Sequence, residues 1–218
     1  MPIDIAHSGR GRFIVFEGID GSGKSTQIER LGKKLKTNDI DVYQTFEPSD
    51  GSVGTMIRKM LQGELEIDQR TIALLFAADR TDHILNKKNG ILNMVEKGQV
   101  VLCDRYYFSS YAYHSQYLDM DWVIAINSIN ADLLKPDLHI FIDVDPERCF
   151  QRLKARRKTL ELYEKIEVLN KVRQLYFTIF DKLAENEHIV IIDGNGDEDM
   201  VEENIFKEIS LNFNMDKQ

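Results

Sequence analysis

Three observations predict an α/β fold in three layers, a five-stranded parallel sheet with helices on both faces. Short apolar runs alternate with helix-patterned segments along the chain, a glycine-rich turn joins the first run to the first helix, and Gln99–Asp104 (QVVLCD) is a continuous apolar run ending in a carboxylate, as a buried parallel strand reads. Right-handed crossovers would connect the strands.

Arg12–Glu17 (RFIVFE) reads as the first strand. Gly18–Ser25 (GIDGSGKS) follows and fits the phosphate-loop pattern of Gly, four residues, Gly, Lys, then Ser or Thr; Ile28, Leu31 and Leu35 then recur at helical spacing to about Asn38. Ile40–Phe46 is a second strand, broken by Glu47-Pro48-Ser49-Asp50-Gly51. Gly54–Leu61 is a short helix, and Asp68 or its neighbour caps a long one with a kink or stop at Asn89-Gly90. Gln99–Asp104 is the third strand, after which Tyr106–Tyr117 and Trp122–Leu134 read as helices. Leu138–Val144 is the fourth strand, and Asp145-Pro146 opens a helix with proline at its first position. Glu147–Arg157 is basic, Thr159–Glu185 is a second long helix, His188–Asp193 the last strand, Gly194–Gly196 a turn and Asp197–Phe213 the closing helix. No repeat, low-complexity tract or linker interrupts this order, so one domain over residues 1–218 is the economical expectation.

Composition narrows the class of function. With 218 residues, 43% of them hydrophobic, the chain can bury a full core. No apolar run reaches the 18 or more residues of a membrane span, and Met1–Gly11 has no signal-peptide core, so a soluble cytoplasmic protein without a membrane partner is expected. A net charge of -8 argues against a surface built to hold nucleic acid, whereas a small polyanion needs only a local basic cluster. Cys103 and Cys149 stand far apart and outside any CxxC, and the five histidines show no metal-ligand spacing.

The strand, loop and helix context gives Gly18–Ser25 its chemistry. Backbone N–H groups of Gly18, Ile19, Asp20, Gly21, Ser22, Gly23, Lys24, Ser25 and Thr26 would wrap the phosphates of a nucleotide, with the N-terminus of the helix behind them. Lys24 would reach the β- and γ-phosphates and the Ser25 hydroxyl would hold Mg²⁺. Asp104 ends the third strand, where an open parallel sheet binds ligands, and can hold the same ion; Arg105 can fork onto a phosphate. Phe76 and Arg80 lie four apart on the long helix, so a ring face and a guanidinium share one side of it, a pair suited to a nucleobase. Taken alone, the same pair also reads as a core phenylalanine and an arginine reaching for water.

Four segments, FEGIDGSGKSTQ (Phe16–Gln27), ALLFAADR (Ala73–Arg80), CDRYYFSSYAYH (Cys103–His114) and PDLHIFIDVDPE (Pro136–Glu147), resemble the thymidylate kinases in order and spacing. That resemblance implies the three-layer P-loop NTPase fold with a small mobile lid at about 148–163, and Mg²⁺-dependent transfer of the ATP γ-phosphoryl group to dTMP. It implies that Phe76 stacks on thymine, Arg80 bonds O4, Ser109 and Ser110 contact the base, and Tyr113 disfavours ribose. Asp20 would approach the 3′-hydroxyl, Arg105 would grip the acceptor phosphate, and Arg152, Arg156 and Arg157 would lie in the lid over ATP. A homodimer packed through helices is likewise implied, and Gly194–Gly196 is a candidate for adenine contacts.

The chain has Gly21 where some members of the family carry an arginine, so Lys24 is the loop's only cation, and Arg156 or Arg157 is expected to close onto the transferring group. An arginine acting so can contribute roughly 10³ to 10⁵ in rate. Phe46 stands where many members have an arginine that helps hold the acceptor phosphate, so Arg58 or a lid residue would have to compensate. Glu161-Leu162-Tyr163-Glu164 also lacks an arginine often found before the aromatic. Two other readings stay open: a kinase for another pyrimidine monophosphate such as dUMP, and a P-loop regulatory protein that binds ATP without turning over a small substrate. A GTPase switch is disfavoured, because neither NKxD nor a DxxG after the third strand is present.

Overall fold

Five consecutive buried side chains, Phe13–Glu17, can be covered only from both sides, and this run forms the central strand β1. In the computed structural model, which describes residues 10–156, 163 and 165–213, β2 is Val42–Phe46, β3 Val100–Asp104, β4 Leu138–Asp143 and β5 Ile189–Asp193. The sheet runs β2-β3-β1-β4-β5 and every pairing is parallel. Strand order reverses at β1, whose neighbours come from later in the chain on either side. The crevice at that switch point is where such a sheet takes its ligand.

The helices are α1 (Lys24–Lys36), α2 (Ser52–Leu61), α3 (Gln69–Leu85), α4 (Ile91–Glu96), α5 (Tyr107–His114), α6 (Met120–Ile126), α7 (Ser128–Leu133), α8 (Pro146–Arg156), α9 (Ile166–Leu183) and α10 (Glu198–Asn212). From β4, His139 and Phe141 point at α5 and α9, where Phe108, Tyr176 and Phe180 receive them. On the other side α1 and α10 pack together, α1 against β1, β2 and β3 and α10 against β5. Of Asp68 and its neighbour it is Asp68 that caps α3, accepting from the Arg70 N–H at 2.9 Å. Cys103 and Cys149 are buried free thiols, and among the described residues no helix is long and apolar enough to cross a membrane.

Three expectations change. The segment Trp122–Leu134 is two helices, because Asn127 between them is fully buried and turns its amide to the Val123 carbonyl at 2.9 Å and to Arg80. The helix expected over Tyr106–Tyr117 stops at His114, whose carbonyl receives the N–H groups of both Tyr117 and Leu118 at 3.0 Å. A six-residue helix, α4, follows Gly90 where none was anticipated; a segment so short carries too few apolar repeats to reveal its period. The helix expected from Thr159 is described from Ile166; residues 157–162 and 164, and with them much of the expected lid, lie outside the described part.

Candidate functional site

Leaving β1, the chain turns through Gly18, Gly21 and Gly23, with φ of 148°, 83° and 97°. Close approach as well as backbone angle demands glycine here: a Cβ on Gly18 would stand 2.8 Å from the Ile142 carbonyl oxygen, and one on Gly21 2.7 Å from that of Cys149. The loop is thus pressed between β4 and α8, and an arginine at position 21 would have to displace α8. That helix supplies a cation instead, since Arg152 donates to the Gly21 carbonyl at 3.2 Å. Lys24, the first residue of α1, is buried and donates to the Gly18 and Ile19 carbonyls at 3.1 Å each. Burial, followed by the nearby Arg105 guanidinium, holds its pKa below the ordinary lysine value.

The register of β1 with β3 sets Asp104 opposite Phe16, one turn of chain from the loop. Ser25 Oγ therefore meets Asp104 Oδ2 at 2.5 Å, while the buried Asp104 Oδ1 has no partner among the described residues. Two hard oxygen donors side by side, one carrying a free lone pair, suit a small divalent cation such as Mg²⁺.

Arg105 follows in the left-handed region, φ 72°, which costs a non-glycine residue about 1–3 kcal/mol. Its N–H is fixed to the Phe16 carbonyl at 2.9 Å, so the strand end determines where the guanidinium goes. That group stacks 4.9 Å from the centre of the Tyr113 ring, donates to Asp20 Oδ1 at 2.7 Å and Ser109 Oγ at 3.0 Å, and reaches the Gly18 carbonyl at 3.3 Å. Tyr113 donates to Asp20 Oδ2 at 2.9 Å and accepts from the Asp20 N–H at 3.1 Å. Burial alone would raise the Asp20 pKa, but Arg105 and then Lys24 outweigh it and hold the carboxyl below its usual value.

Two cavities open on this centre. The larger, about 670 Å³, is lined by Asp20, Gly21, Gly23, Lys24, Ser25, Thr26, Phe46, Asp104, Arg105 and Arg152. The smaller, about 80 Å³, is an apolar slot between Phe76, Pro48, Leu61 and Tyr163, with Ser109, Ser110, Tyr113 and His114 at its wall. Asp20 and Arg105 line both.

Arg80 stands one side chain behind the slot. Its guanidinium is 1% exposed and donates to Glu47 at 2.8 Å, to Asn127, and through two nitrogens to Ser110 Oγ at 3.2 Å each. A hydroxyl that already accepts twice keeps its own hydrogen to donate, so Ser110 presents a donor to the slot. Arg58 is likewise engaged, donating to the Pro48 and Ser49 carbonyls at 2.9 and 2.6 Å. Arg156 ends α8; its side chain and the whole of Arg157 lie outside the described part.

His114, 1% exposed, packs edge-on to Phe76, and burial followed by the charge of Arg80 pushes its pKa down to about 3. A depressed histidine pKa gives stability that is complete above the ordinary value of 6.5 and is lost as pH falls towards 3. Between pH 7 and 4.5 the unfolding free energy of the natural chain should therefore fall by about 2–3 kcal/mol more than that of His114→Gln. Parallel urea titrations read this, and equal acid slopes would remove His114 as the cause.

Two carboxylates went unremarked in the sequence. Glu17, fully buried at the end of β1, accepts from the N–H groups of Tyr106 and Ser109 at 3.0 and 3.2 Å, from Ser109 Oγ at 2.5 Å and from Tyr176 Oη at 2.8 Å. Four donors satisfy it and pin the start of α5 beside Arg105. Glu47 holds Arg80. The available signal was a carboxylate closing an otherwise apolar run in the first case, and one preceding a proline break in the second.

Residues 16–205 match the family model described as thymidylate kinase. A probable thymidylate kinase of Methanocaldococcus jannaschii is 43% identical over 182 residues, 83% of this chain and 86% of that one. A thymidylate kinase of Caldicellulosiruptor saccharolyticus is 44% identical over 156 residues, 70% of this chain and 74% of its own. A probable thymidylate kinase of Methanococcus aeolicus is 39% identical over 211 residues, covering 95% and 97%.

Proposed function

The chain belongs to the thymidylate kinase family, and on that premise we propose that its joined cavities bring ATP and dTMP together so that the γ-phosphoryl group passes to the acceptor phosphate, giving ADP and dTDP. The observation that carries the reading is Arg105, which lines both cavities and can therefore hold an anion at their junction.

In this mechanism the acceptor oxygen is already an anion, so no side chain need act as nucleophile. The protein's work is to align two phosphates that repel each other and to neutralise them. The loop N–H groups and Lys24 hold the donor phosphates, and Arg152 adds charge from α8. Arg105 exchanges Asp20 for the acceptor phosphate, which frees Asp20 to accept from the sugar 3′-hydroxyl. Ser25 and Asp104 would hold Mg²⁺, which would draw off charge from the donor phosphates. Arg156 or Arg157 is proposed to close over the γ-phosphoryl group.

The acceptor's base would lie in the slot. A space of about 80 Å³ favours one ring over two. Phe76 offers the stacking face, and the Ser110 hydrogen, backed by Arg80, suits a carbonyl such as thymine O4. Tyr113, held by Asp20, crowds the 2′ position. Leu74 on α3 and Ile129 on α7, 49% and 57% exposed on neighbouring helices, support a helix-packed homodimer, to be read from the mass in solution. A cytoplasmic setting, where ATP and Mg²⁺ are plentiful, completes the proposal.

A coupled ADP-release assay with ATP and Mg²⁺ tests it, run against dTMP, dUMP, ribose TMP, dCMP, dGMP and no acceptor. Strong release with dTMP is the expected result. Release that does not depend on an acceptor would overturn the reading in favour of an ATP-binding regulator.

A further inference from the structure

The two terminal nitrogens of Arg105 are held in different ways. Nη2 donates to Asp20 Oδ1 at 2.7 Å and to Tyr113 Oη at 3.2 Å, on side chains that line the slot. Nη1 donates to Ser109 Oγ at 3.0 Å and to the Gly18 carbonyl at 3.3 Å. An anion arriving at the junction competes with the Asp20 carboxylate for Nη2, charge against charge. It has no such rival at Nη1, whose partners are a backbone carbonyl and a buried hydroxyl.

Ser109 is fixed from the other end of this network. Tyr106 gives α5 no side-chain cap, and Glu17 of β1 takes that place, its Oε1 accepting from the N–H groups of Tyr106 and Ser109 and its Oε2 from Ser109 Oγ at 2.5 Å. A serine hydroxyl has one hydrogen and two lone pairs. The hydrogen goes to Glu17, one lone pair receives Arg105, and Tyr176 Oη stands 2.9 Å from the same oxygen. No hydrogen is left to offer a base, although Ser109 lines the slot and is 8% exposed.

We propose that Ser109, braced by Glu17, is a positioning residue for Arg105: it keeps Nη1 in place while Nη2 exchanges Asp20 for the acceptor phosphate. The proposal rests on the reading of Arg105 as the group that grips that phosphate, and it adds what holds Arg105 there. Without the Ser109 hydroxyl, Nη1 keeps only the longer bond to Gly18, and the guanidinium is free to turn both nitrogens onto Asp20. The phosphate must then compete with a doubly bonded carboxylate.

Calorimetric titration with dTMP and with thymidine, which has the same base and sugar but no phosphate, tests it. Ser109→Ala should bind dTMP about tenfold or more weakly than the natural chain, and thymidine within about threefold of it. A lost base contact or a displaced α5 would weaken both ligands alike; that result would overturn the proposal, as would unchanged affinity for both. Ser109→Cys, similar in size and with a weak acceptor, should bind dTMP with an affinity between those of the natural chain and Ser109→Ala. Should neither variant fold, the structure of the natural chain with dTMP bound still decides. Arg105 Nη1 should remain on Ser109 Oγ there, and a Ser109 hydroxyl bonded to the base instead would overturn the proposal. Equal losses in Ser109→Ala leave the dTMP-dependent turnover of the natural chain, and with it the kinase reading, intact. Binding of neither ligand by the natural chain would overturn both.

Discussion

Arg105→Ala is expected to lower kcat/KM for dTMP by about 10³-fold or more while leaving ATP affinity within about threefold. The argument is geometric. Arg105 lines both cavities, whereas in the proposed arrangement the donor phosphates would have the loop N–H groups, Lys24 and Arg152 to themselves. Removing Arg105 also strips Asp20 of the cation 2.7 Å from it, so at the junction an anion-binding site becomes an anion-repelling one. Arg105→Lys should recover only part of the loss: a lysine keeps the charge but cannot fork, and the stacking on Tyr113 goes with the guanidinium. Because φ of 72° suits alanine no better than arginine, the backbone strain is much the same in the variant, and thermal melting checks that the fold survives. Steady-state kinetics in dTMP with ATP titrated separately decide the matter. Near-normal turnover in Arg105→Ala would end the assignment of Arg105 to the acceptor phosphate, and an equal loss of ATP affinity would move it to the donor side.

The parts of this site that could be read from the sequence are those whose chemistry is local. Gly18–Ser25 carries its own glycines, lysine and hydroxyl within eight residues, and Asp104-Arg105 announces itself as charge at the end of an apolar strand. The order of strands and helices gave the layers for the same reason, since each element's period is written within it. What escaped is what depends on distant partners. Glu17 looks like a strand terminus until Tyr176, 159 positions on, is found donating to it. Asn127 splits the expected Trp122–Leu134 helix because it reaches Arg80, 47 positions back. Arg80 itself looked free to meet a base, and only Glu47 after β2, Ser110 of α5 and Asn127 between α6 and α7, which close around it in the fold, reveal that its donors are taken. Position 21 was legible as a missing arginine, but the reason, the Cys149 carbonyl of α8 against the loop, required the fold.

Glu47→Gln is expected to destabilise the protein by about 3–5 kcal/mol, because it leaves the Arg80 guanidinium buried with its charge uncompensated. Glu47 is 5% exposed; its Oε2 receives Arg80 Nε at 2.8 Å and Nη2 at 2.7 Å, and its Oε1 lies 3.3 Å from His83 Nδ1. His83 in turn meets Thr45 Oγ1 at 2.7 Å, so β2, the loop after it and α3 share one polar network. Attraction within so buried a pair roughly offsets the desolvation of both charges, which makes the pair nearly neutral while it is intact and costly once broken. The double variant Glu47→Leu with Arg80→Met should therefore be more stable than Glu47→Gln alone, an ordering that a mere packing defect at position 47 would not produce. Urea unfolding of the three variants provides the measurement, and a loss below about 1 kcal/mol in Glu47→Gln would sink the account. The network has a second consequence, because the loop it anchors carries Pro48, a wall of the slot proposed for the base, and Asp79 clamps the next residue through Ser49 N–H and Oγ at 2.7 and 2.6 Å. Loosening that loop should raise KM for dTMP more than KM for ATP. In the double variant, stability returns but Ser110 loses the donors that aim its hydrogen, so KM for dTMP should stay raised after folding is restored. A recovery of both together would mean that Arg80 serves the fold alone.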